Sequence, residues 1–381
     1  MKYINFHKPK CFIYLIIIAI TRTITDLIRN YGEKYFKFPI FRLFLLFCGE
    51  AIAIIFYLIQ ILSLEKQFNG HNYNILLDEQ KIINHKCHSF IYIFFFITLL
   101  SLLSELQWRD FIFNYEMLKV RIEFIRNLET LVLFFSYIIA EKYLLEMNTY
   151  RHHYLAIGLN IFSFIIIIIY FFIKTYWTNY KVFPLICVII FIIESQFFRS
   201  ICYTIIKKLN HEYFINMNYI LFIMGIIGII YTFIFDFIHS NILKYDINFY
   251  NRIDNLIDNK KEFIFIIIIY KIFICILNIL NLKVIEETKP SYLAITNGFT
   301  NLFVQISHLI QNKFFGKHYK HILNMINIIF ALSFFLSFCI FSEIISLNFC
   351  ELDKYINEKI SERSYEDTKK VLSNEFSEIY A

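Results

Sequence analysis

The sequence has little of several features that mark the common soluble classes. Only 18% of its residues are charged, whereas about a quarter are charged in soluble domains, so an ordinary soluble globular domain is excluded. The eight cysteines form no Cys-x-x-Cys pair, which argues against a zinc site or a disulfide scaffold. No Asn-x-Ser/Thr sequon occurs, so N-glycosylation is not expected. The scarcity of glycine and proline accompanies an excess of Ile, Phe, Asn and Lys that is typical of a genome poor in G and C.

Apolar residues are what the chain has in excess. They make up 58% of it, and they come in repeated blocks. Because about 20 apolar residues span a bilayer as one helix, these blocks predict an all-α polytopic membrane protein. The net charge of +6 is spread over the loops and forms no patch suited to nucleic acid. We expect a lipid bilayer and a small-molecule solute as partners, with no nucleic acid, cofactor or metal, and we leave a homodimer open.

Ten apolar blocks predict ten transmembrane helices in two five-helix repeats, at 11–173 and 182–347, joined by a link at 174–181. Residues 1–10 are predicted to form an N-terminal tail, and 348–381 a soluble, charged C-terminal tail. The first block continues into the polar run TRTITD and lacks a small-residue cleavage site, so it is read as a retained span rather than a signal peptide. The predicted spans are 11–28, 40–64, 88–107, 116–142, 154–173, 184–206, 217–238, 262–282, 291–310 and 322–347.

The fourth and ninth predicted spans share a short motif. IRNLET at 125–130 aligns with ITNGFT at 295–300, and three of the six residues are identical. Three identities are weak in so biased a sequence, but both motifs lie in the polar member of their half, the fourth helix of five. This placement predicts a duplicated five-helix unit, as transporters often contain.

The fourth span, 116–142, is the most charged and organises the rest of the prediction. Its first half carries Lys119, Arg121, Glu123, Arg126 and Glu129. Each charge costs a few kcal/mol in hydrocarbon, so these side chains must face one another, water or a ligand. Helical spacing places Lys119, Glu123 and Arg126 on one face with Thr130. The alternative is a helix that starts near Phe124 and leaves the earlier charges in a loop.

Other spans add polar groups in mid-membrane. A lone carboxyl such as Glu50 is protonated, paired or functional at that depth. The polar second half of the first span either satisfies its own backbone or lines a cavity. Cationic candidates would bind an anion, carboxyls would neutralise them or take a coupling proton, and amides and hydroxyls would orient the solute. The predicted substrate-binding residues are Glu50, Lys119, Glu123, Arg126, Asn127, Glu129, Thr130, Glu194, Arg199, Lys271, Asn297, Thr300 and Gln305.

Four stretches resemble the drug/metabolite transporter superfamily, in its EamA-like, nucleotide-sugar-transporter-like branch of solute carriers. They are FPIFRLFLLFCGEAIAIIFYLI (38–59), FIRNLETLVLFFSYIIAEKYL (124–144), IIESQFFRSICYTIIKKL (192–209) and EETKPSYLAITNGFTNLFVQISHLI (286–310). The resemblance implies ten helices, cytosolic termini and a central cavity lined by both halves. The chain departs from that family in its highly charged fourth helix, where a single Arg is typical, so the resemblance leaves the substrate class open.

These features together predict a secondary transporter that moves a small polar metabolite across an internal membrane by alternating access. A nucleotide-sugar or organic-phosphate antiporter is the first expectation, and a proton-coupled exporter of amino acids, peptides or drug-like cations is the alternative. A membrane-embedded transferase would use the interfacial histidines His152, His153, His318 and His321, but no acid–base motif accompanies them. A scaffold or receptor without transport is a further alternative. We therefore expect no enzymatic activity.

Overall fold

The part of the chain that the structure describes is helical, apart from two three-residue strands. The computed structural model describes residues 4–6, 9–31, 39–67, 91–105, 122–146, 150–178, 182–213, 215–241, 261–294, 296–298, 321–341 and 345–347. The helices are α1 (Pro9–Tyr31), α2 (Pro39–Ala51), α3 (Ala53–Gln67), α4 (Ile91–Glu105), α5 (Ile122–Leu144), α6 (Arg151–Thr178), α7 (Val182–Tyr213), α8 (Met217–Asn241), α9 (Lys261–Glu287) and α10 (His321–Phe341). The strands are β1 (Ile4–Phe6) and β2 (Ile345–Leu347). Helical turns within 292–298 follow α9 and are called the 292–298 segment.

The described helices are those of a multi-pass membrane protein. Five stretches are long and apolar enough to cross a bilayer: Leu43–Ser63, Arg151–Ile169, Ile189–Tyr213, Met217–Ile238 and Phe265–Glu287. Shorter apolar stretches occur in α1, α4 and α10. Large apolar side chains such as Phe162 and Phe237 point outward from the bundle, where lipid rather than water is their natural surrounding. A helix suits this surrounding because it satisfies its own backbone polar groups.

Two predicted boundaries differ from the structure. Helix α6 continues through Thr178 and so includes most of the predicted link at 174–181. Helix α10 ends at Phe341, while 345–347, predicted to finish the tenth span, forms β2. Hydropathy locates the part of a helix that lies in the membrane, not the residue where its hydrogen bonds end, so a predicted span and a helix need not end at the same residue. The predicted tail at 348–381 lies outside the described residues.

The most extensive packing joins the two predicted repeats. Helix α5 packs along α7, α6 along α10, α2 along α8, and α1 along α9. Helix α2 also contacts α9, and α3 contacts α8. The core is aromatic where α5, α10 and the 292–298 segment meet, with the fully buried rings of Phe134, Tyr292, Phe334 and Phe338. The two halves are therefore interleaved rather than placed side by side.

Helices α2 and α8 make the closest contact. A Cβ on Gly225 would lie 2.4 Å from the backbone nitrogen of Ala51, and one on Gly228 would lie 2.1 Å from the Phe47 ring. The prediction that these glycines allow close helix approach is confirmed. The regular helix is interrupted at Ile52, between α2 and α3. The crossing of α2 with α8 and the interruption between α2 and α3 therefore both lie within one helical turn of Glu50.

Strands β1 and β2 bring the beginning and the end of the chain's helical region together. They pair antiparallel, with Ile4 opposite Leu347 and Phe6 opposite Ile345. Helix α1 begins at Pro9, shortly after β1, and α10 ends at Phe341, shortly before β2. The start of the first described helix and the end of the last therefore lie at the same end of the bundle.

Candidate functional site

A buried polar cluster lies in the middle of the bundle, where α2, α4, α5, α7 and α9 contribute side chains. Its members, called the central cluster, are Glu50, Glu105, Glu129, Tyr137, Gln196, Arg199, Tyr203 and Asn278. At 1.5 Å per residue, Arg199 is about 26 Å from the start of α7 and about 21 Å from its end. Arg199 therefore lies near the middle of the stretch of α7 that is long and apolar enough to cross a bilayer.

Arg199 connects three helices within this cluster. Its Nη1 lies 4.0 Å from Oε1 of Glu129, and Nε2 of Gln196 donates a 3.1 Å hydrogen bond to the same oxygen. The spacing of three residues places Gln196 and Arg199 on one face of α7, as the sequence predicted. Arg199 also interacts electrostatically with Glu105 on α4. Its side chain is half-buried, with 22% of its surface exposed.

Glu50 is the more deeply buried acid of the cluster. It is 5% exposed, and its Oε1 accepts a 3.3 Å hydrogen bond from Nδ2 of Asn278. Its Oε2 has no hydrogen-bond partner among the described residues. Its charged neighbour is Glu105, which carries the same sign. Glu50 thus lies beside a second carboxyl, with an amide as its hydrogen-bond donor.

The polar half of the first span satisfies its own backbone and also contacts the other half of the chain. Thr21 and Thr25 donate 2.8 Å hydrogen bonds to the carbonyls four residues earlier, as a self-satisfied helix would. Arg22, between them, donates from Nη1 to Oδ1 of Asn297 in the 292–298 segment. Asn297 is a predicted site residue and is buried. The first helix therefore contributes a cation to a second polar contact between the halves.

A polar junction also closes the end of the bundle that holds β1 and β2. The backbone N–H of Ser291 donates a 2.6 Å hydrogen bond to Oε1 of the buried Glu141 on α5. Lys207 Nζ donates to the carbonyls of Ile285 and Glu286 at the end of α9, at 2.8 and 2.9 Å. A cation at a helix C-terminus satisfies orphan carbonyls and opposes the negative end of the helix dipole. The Ser291–Glu141 hydrogen bond therefore joins the two halves at this end of the bundle, and Lys207 joins α7 to α9 within the second half.

The other predicted site residues have different surroundings. Lys271 lies at the interface of α9 with α2, with its Nζ 5.8 Å from the centre of the Phe44 ring. Thr130 is buried beside Glu129 on α5, and Glu194 is half-buried on α7. Lys119, Thr300 and Gln305 lie outside the described residues. Glu123, Arg126 and Asn127 belong to α5, but their side chains are outside the description.

Several residues of the central cluster were not predicted, because the polar residues of each span were considered separately from those of the other spans. Glu105, Gln196 and Asn278 were read as polar residues of their own spans, and none was assigned to the site. Each completes a contact only when another helix is placed beside it.

The fifth helix also departs from its prediction. We expected a lipid-facing helix without candidate chemistry, but Asn160 and Ser163 of α6 are buried. Asn160 Nδ2 donates a 2.5 Å hydrogen bond to Ser337 Oγ, and Ser163 shares a 2.7 Å hydrogen bond with Ser333. One face of α6 is therefore a polar seam against α10, because interhelical hydrogen bonds replace the hydrophobic effect inside a membrane.

Two of the interfacial histidines considered for a transferase are buried. His152 and His153 are 4% and 3% exposed at the start of α6, with ring centres 4.0 Å apart. The His153 ring packs 4.7 Å from that of Phe341. Among the side chains that the structure describes, no group of three or more His, Cys, Asp or Glu is arranged to hold a metal ion. His318 lies outside the described residues, and His321 begins α10.

Comparison of the sequence with protein-family models gives no match, and comparison with curated proteins gives none either. The function is therefore inferred from the central cluster and from the packing of the two halves.

Proposed function

We propose that the chain is a secondary transporter of the drug/metabolite superfamily, EamA-like branch, moving a small polar metabolite across an internal membrane by alternating access. The observation that carries the proposal is Arg199, which faces carboxyls on α4 and α5 from the middle of α7. Ionised groups at this depth are costly and usually mark a solute or ion pathway.

Internal duplication supports this proposal, because transporters of this kind rock one repeat against another. If the halves are copies, each element has a counterpart: α1 and α7, α2–α3 and α8, α4 and α9, α5 and the 292–298 segment, and α6 and α10. Exchanging the counterparts should turn each contact into another contact of the same molecule. The contacts of α2 with α8 and of α6 with α10 map onto themselves.

Exchanging the counterpart elements also turns each of the remaining contacts between the halves into another contact of the molecule. The α1–α9 contact becomes α7–α4, where Cys202 Sγ donates to the carbonyl of Ile97 at 3.5 Å. The α5–α7 contact becomes α1 with the 292–298 segment, where Arg22 donates to Asn297. The α2–α9 contact becomes α8–α4, where the Tyr231 hydroxyl donates to a carbonyl of α4 at 3.3 Å. A duplicated five-helix unit predicts such a closed scheme, so these contacts support the proposal.

The direction of the paired helices supports an inverted repeat. Phe44 meets Phe233 and Tyr57 meets Tyr219, so α2–α3 and α8 run in opposite directions. A unit with five spans ends on the opposite side of the membrane from where it begins, so a second copy is inserted in the opposite orientation. Counterpart helices are then antiparallel where they touch. The pairing of β1 with β2 places the beginning and the end of the chain's helical region on the same side. The chain between them must then cross the membrane an even number of times. Ten spans satisfy both conditions.

The solute class follows from Arg199 and its surroundings. A guanidinium binds carboxylate or phosphate through two parallel hydrogen bonds, so an anionic or zwitterionic metabolite fits it. An anion that arrives at Arg199 would replace the carboxyls of Glu105 and Glu129 as its partners. We propose a nucleotide sugar or an organic phosphate as the first solute class to test, with exchange as the mode of transport.

Glu50 favours a second candidate, a proton-coupled exporter of amino acids, peptides or organic cations. Its buried carboxyl lies beside Glu105 and carries an oxygen without a hydrogen-bond partner in the described part of the chain. Such an acid can bind a proton or the cationic group of a solute. The two candidates differ in the sign of the solute charge.

Reconstituted protein tests the proposal. Liposomes that contain the purified chain are loaded with radiolabelled nucleotide sugar, sugar phosphate, amino acid or tetraphenylphosphonium, and exchange is measured against empty liposomes. We expect exchange of one anionic class, lost in Arg199→Ala and retained in Lys208→Ala, which removes a partly exposed lysine of the same helix. Exchange of the cation alone would favour the exporter, and no exchange of any class would reject transport of these solutes.

A further inference from the structure

We propose that Glu129 occupies the anion site at Arg199 as a resident ligand when no solute is bound, and that Gln196 is a second solute-binding residue beside it. A solute displaces the Glu129 carboxylate and binds both polar atoms of the Gln196 amide. This inference rests on the proposed transporter function. It goes beyond that function by assigning a second binding residue, and by narrowing the solute class to anions that also carry a hydrogen-bond donor.

Two donors from α7 converge on one oxygen of α5. Nε2 of Gln196 donates a 3.1 Å hydrogen bond to Oε1 of Glu129, and Nη1 of Arg199 lies 4.0 Å from the same oxygen. An amide N–H and a guanidinium N–H that face a single oxygen form a donor set that also suits the oxygen of a carboxylate or phosphate group. Glu129 therefore stands where the anionic oxygen of a solute would bind.

The resident carboxylate is a poor ligand for the guanidinium. A charge-assisted hydrogen bond between a cationic nitrogen and an anionic oxygen is about 2.7–2.9 Å long, whereas Glu129 stays 4.0 Å from Arg199. The Glu129 side chain is anchored to α5, so it cannot move freely toward α7. The anionic group of a solute has no such restraint and can approach to hydrogen-bond distance. It can therefore displace Glu129 from Arg199.

The orientation of the Gln196 amide is set by its own helix. Ser195 Oγ donates its one proton to the carbonyl of Ile192 at 3.2 Å, so toward Gln196 it can act only as an acceptor. Nε2 of Gln196 accordingly donates to Ser195 Oγ at 3.3 Å, as well as to Glu129. The amide oxygen, Oε1, is buried and has no hydrogen-bond partner among the described residues. Gln196 thus offers an acceptor that a solute can use.

Solute binding at Arg199 leaves two acceptors to satisfy. The displaced carboxylate of Glu129 is one, and Oε1 of Gln196 is the other. A buried acceptor without a donor is costly, so a solute that brings a donor beside its anionic group is favoured. The hydroxyls of a sugar phosphate or the ammonium group of an amino acid meet this requirement. A simple alkyl phosphate does not.

Binding to the purified full-length chain in detergent tests the role of Gln196 without transport. Thermal melting is titrated with glycerol phosphate and with propyl phosphate, which has the same anionic group but no hydroxyls. The wild type should bind glycerol phosphate about fivefold more tightly, which is the effect of one net hydrogen bond. This preference should vanish in Gln196→Leu. Failure of the wild type to bind either phosphate, or a preference that survives in Gln196→Leu, would overturn the assignment.

Glu129→Gln tests the resident ligand, because it removes the charge and keeps the size of the side chain. Loss of the competing carboxylate should tighten the binding of both phosphates about fivefold, as expected for a partly exposed ion pair. Glu212→Gln, which removes a 45% exposed acid of α7, should bind them as the wild type does. Weaker or unchanged binding in Glu129→Gln would show that Glu129 does not compete for the site.

Gln196→Glu is a second test with the opposite sign. It places a carboxylate on α7 next to Arg199, so it should weaken the binding of both phosphates, whereas Glu129→Gln strengthens it. The melting curve of each variant without phosphate shows whether it is folded, and either variant alone can decide the question. Tighter binding in Gln196→Glu would contradict an anion site beside this residue.

Exchange in liposomes separates this inference from the transporter proposal. For the anionic solute that the exchange assay identifies, Glu129→Gln should lower both KM and the maximal rate, because the resident carboxylate no longer helps to expel the anion. If exchange occurs with a raised or unchanged KM, the resident-ligand role fails while transport stands. If the phosphates bind as expected and no solute moves, the transporter proposal fails while the anion site stands.

Discussion

A Cβ placed on Gly225 would lie 2.4 Å from the backbone nitrogen of Ala51, closer than any real side-chain carbon approaches another atom. The contact is with backbone, so a side-chain rotation cannot relieve it. Helices α2 and α8 can cross at this depth only because position 225 has no side chain. The crossing lies one residue from Glu50, so the geometry of the central cluster depends on it.

Gly225→Ala should therefore destabilise the protein and disturb the cluster. Separating two packed helices costs about 1–3 kcal/mol for an overpacked core position, which should lower the melting temperature in detergent. Gly158→Ala is the matched control, because a Cβ at that helical position would meet nothing within 4 Å. The control should melt at or slightly above the wild-type temperature, since alanine favours a helix by about 0.5–1 kcal/mol over glycine. Equal melting of both variants would contradict the close crossing.

The sequence predicted the class of the fold because membrane helices depend on local composition. An apolar run is both the signal and the cause of a span, so α6, α8 and α9 were recognised without knowledge of their neighbours. The same local reasoning selected Glu50, Glu129 and Arg199 as charged groups of their spans, and the structure brings them into one cluster. Their place along each helix could be predicted because it depends on one helix alone.

The partners of these residues could not be predicted, because a partner depends on rotation and packing between helices. Nothing local distinguishes Asn278, which bonds to Glu50, from Asn281 one turn later, which is also buried. The polar seam of α6 was missed for the same reason, since Asn160 acquires meaning only when Ser337 is beside it. The β1–β2 pairing joins residues more than 300 positions apart, beyond the reach of any local pattern.

The Arg199–Glu129 contact should show strong coupling between its members. Arg199→Gln leaves a buried carboxyl without its cation, which should cost up to about 3 kcal/mol, toward the low end for buried pairs because Arg199 keeps some exposure. Glu129→Gln with Arg199→Gln should recover part of that loss, because neither charge is then left alone. Thermal melting of the two single variants and the double variant measures the coupling. Additive losses would mean that the two side chains do not depend on each other.

Lys207 should contribute more to stability than a lysine in an exposed ion pair. Lys207→Met removes two hydrogen bonds to the last carbonyls of α9, with an expected loss of about 1–2 kcal/mol for a charge-assisted helix cap. Lys283→Met is the comparison. Lys283 is 45% exposed and pairs with Glu286 and Glu287, so its loss should cost under about 1 kcal/mol. A larger drop in melting temperature for Lys283→Met would show that Lys207 does not cap α9 in solution.

The pairing of β1 with β2 predicts that both ends of the chain face the same side of the membrane. Residue 4 and residue 347 are opposite each other in one strand pair, so the bundle between them crosses the bilayer an even number of times. Helix α8 starts at the end of the bundle where Gln60 of α3 bonds to Asn218, and it therefore finishes at the opposite end, near Asn241. Epitope tags at the N-terminus and the C-terminus should be digested together by protease in sealed vesicles of one orientation. A tag inserted after Asn241 should be protected in those vesicles and digested once detergent is added. Protection of only one terminal tag would mean an odd number of spans, and the ten-helix, two-repeat arrangement would then be wrong.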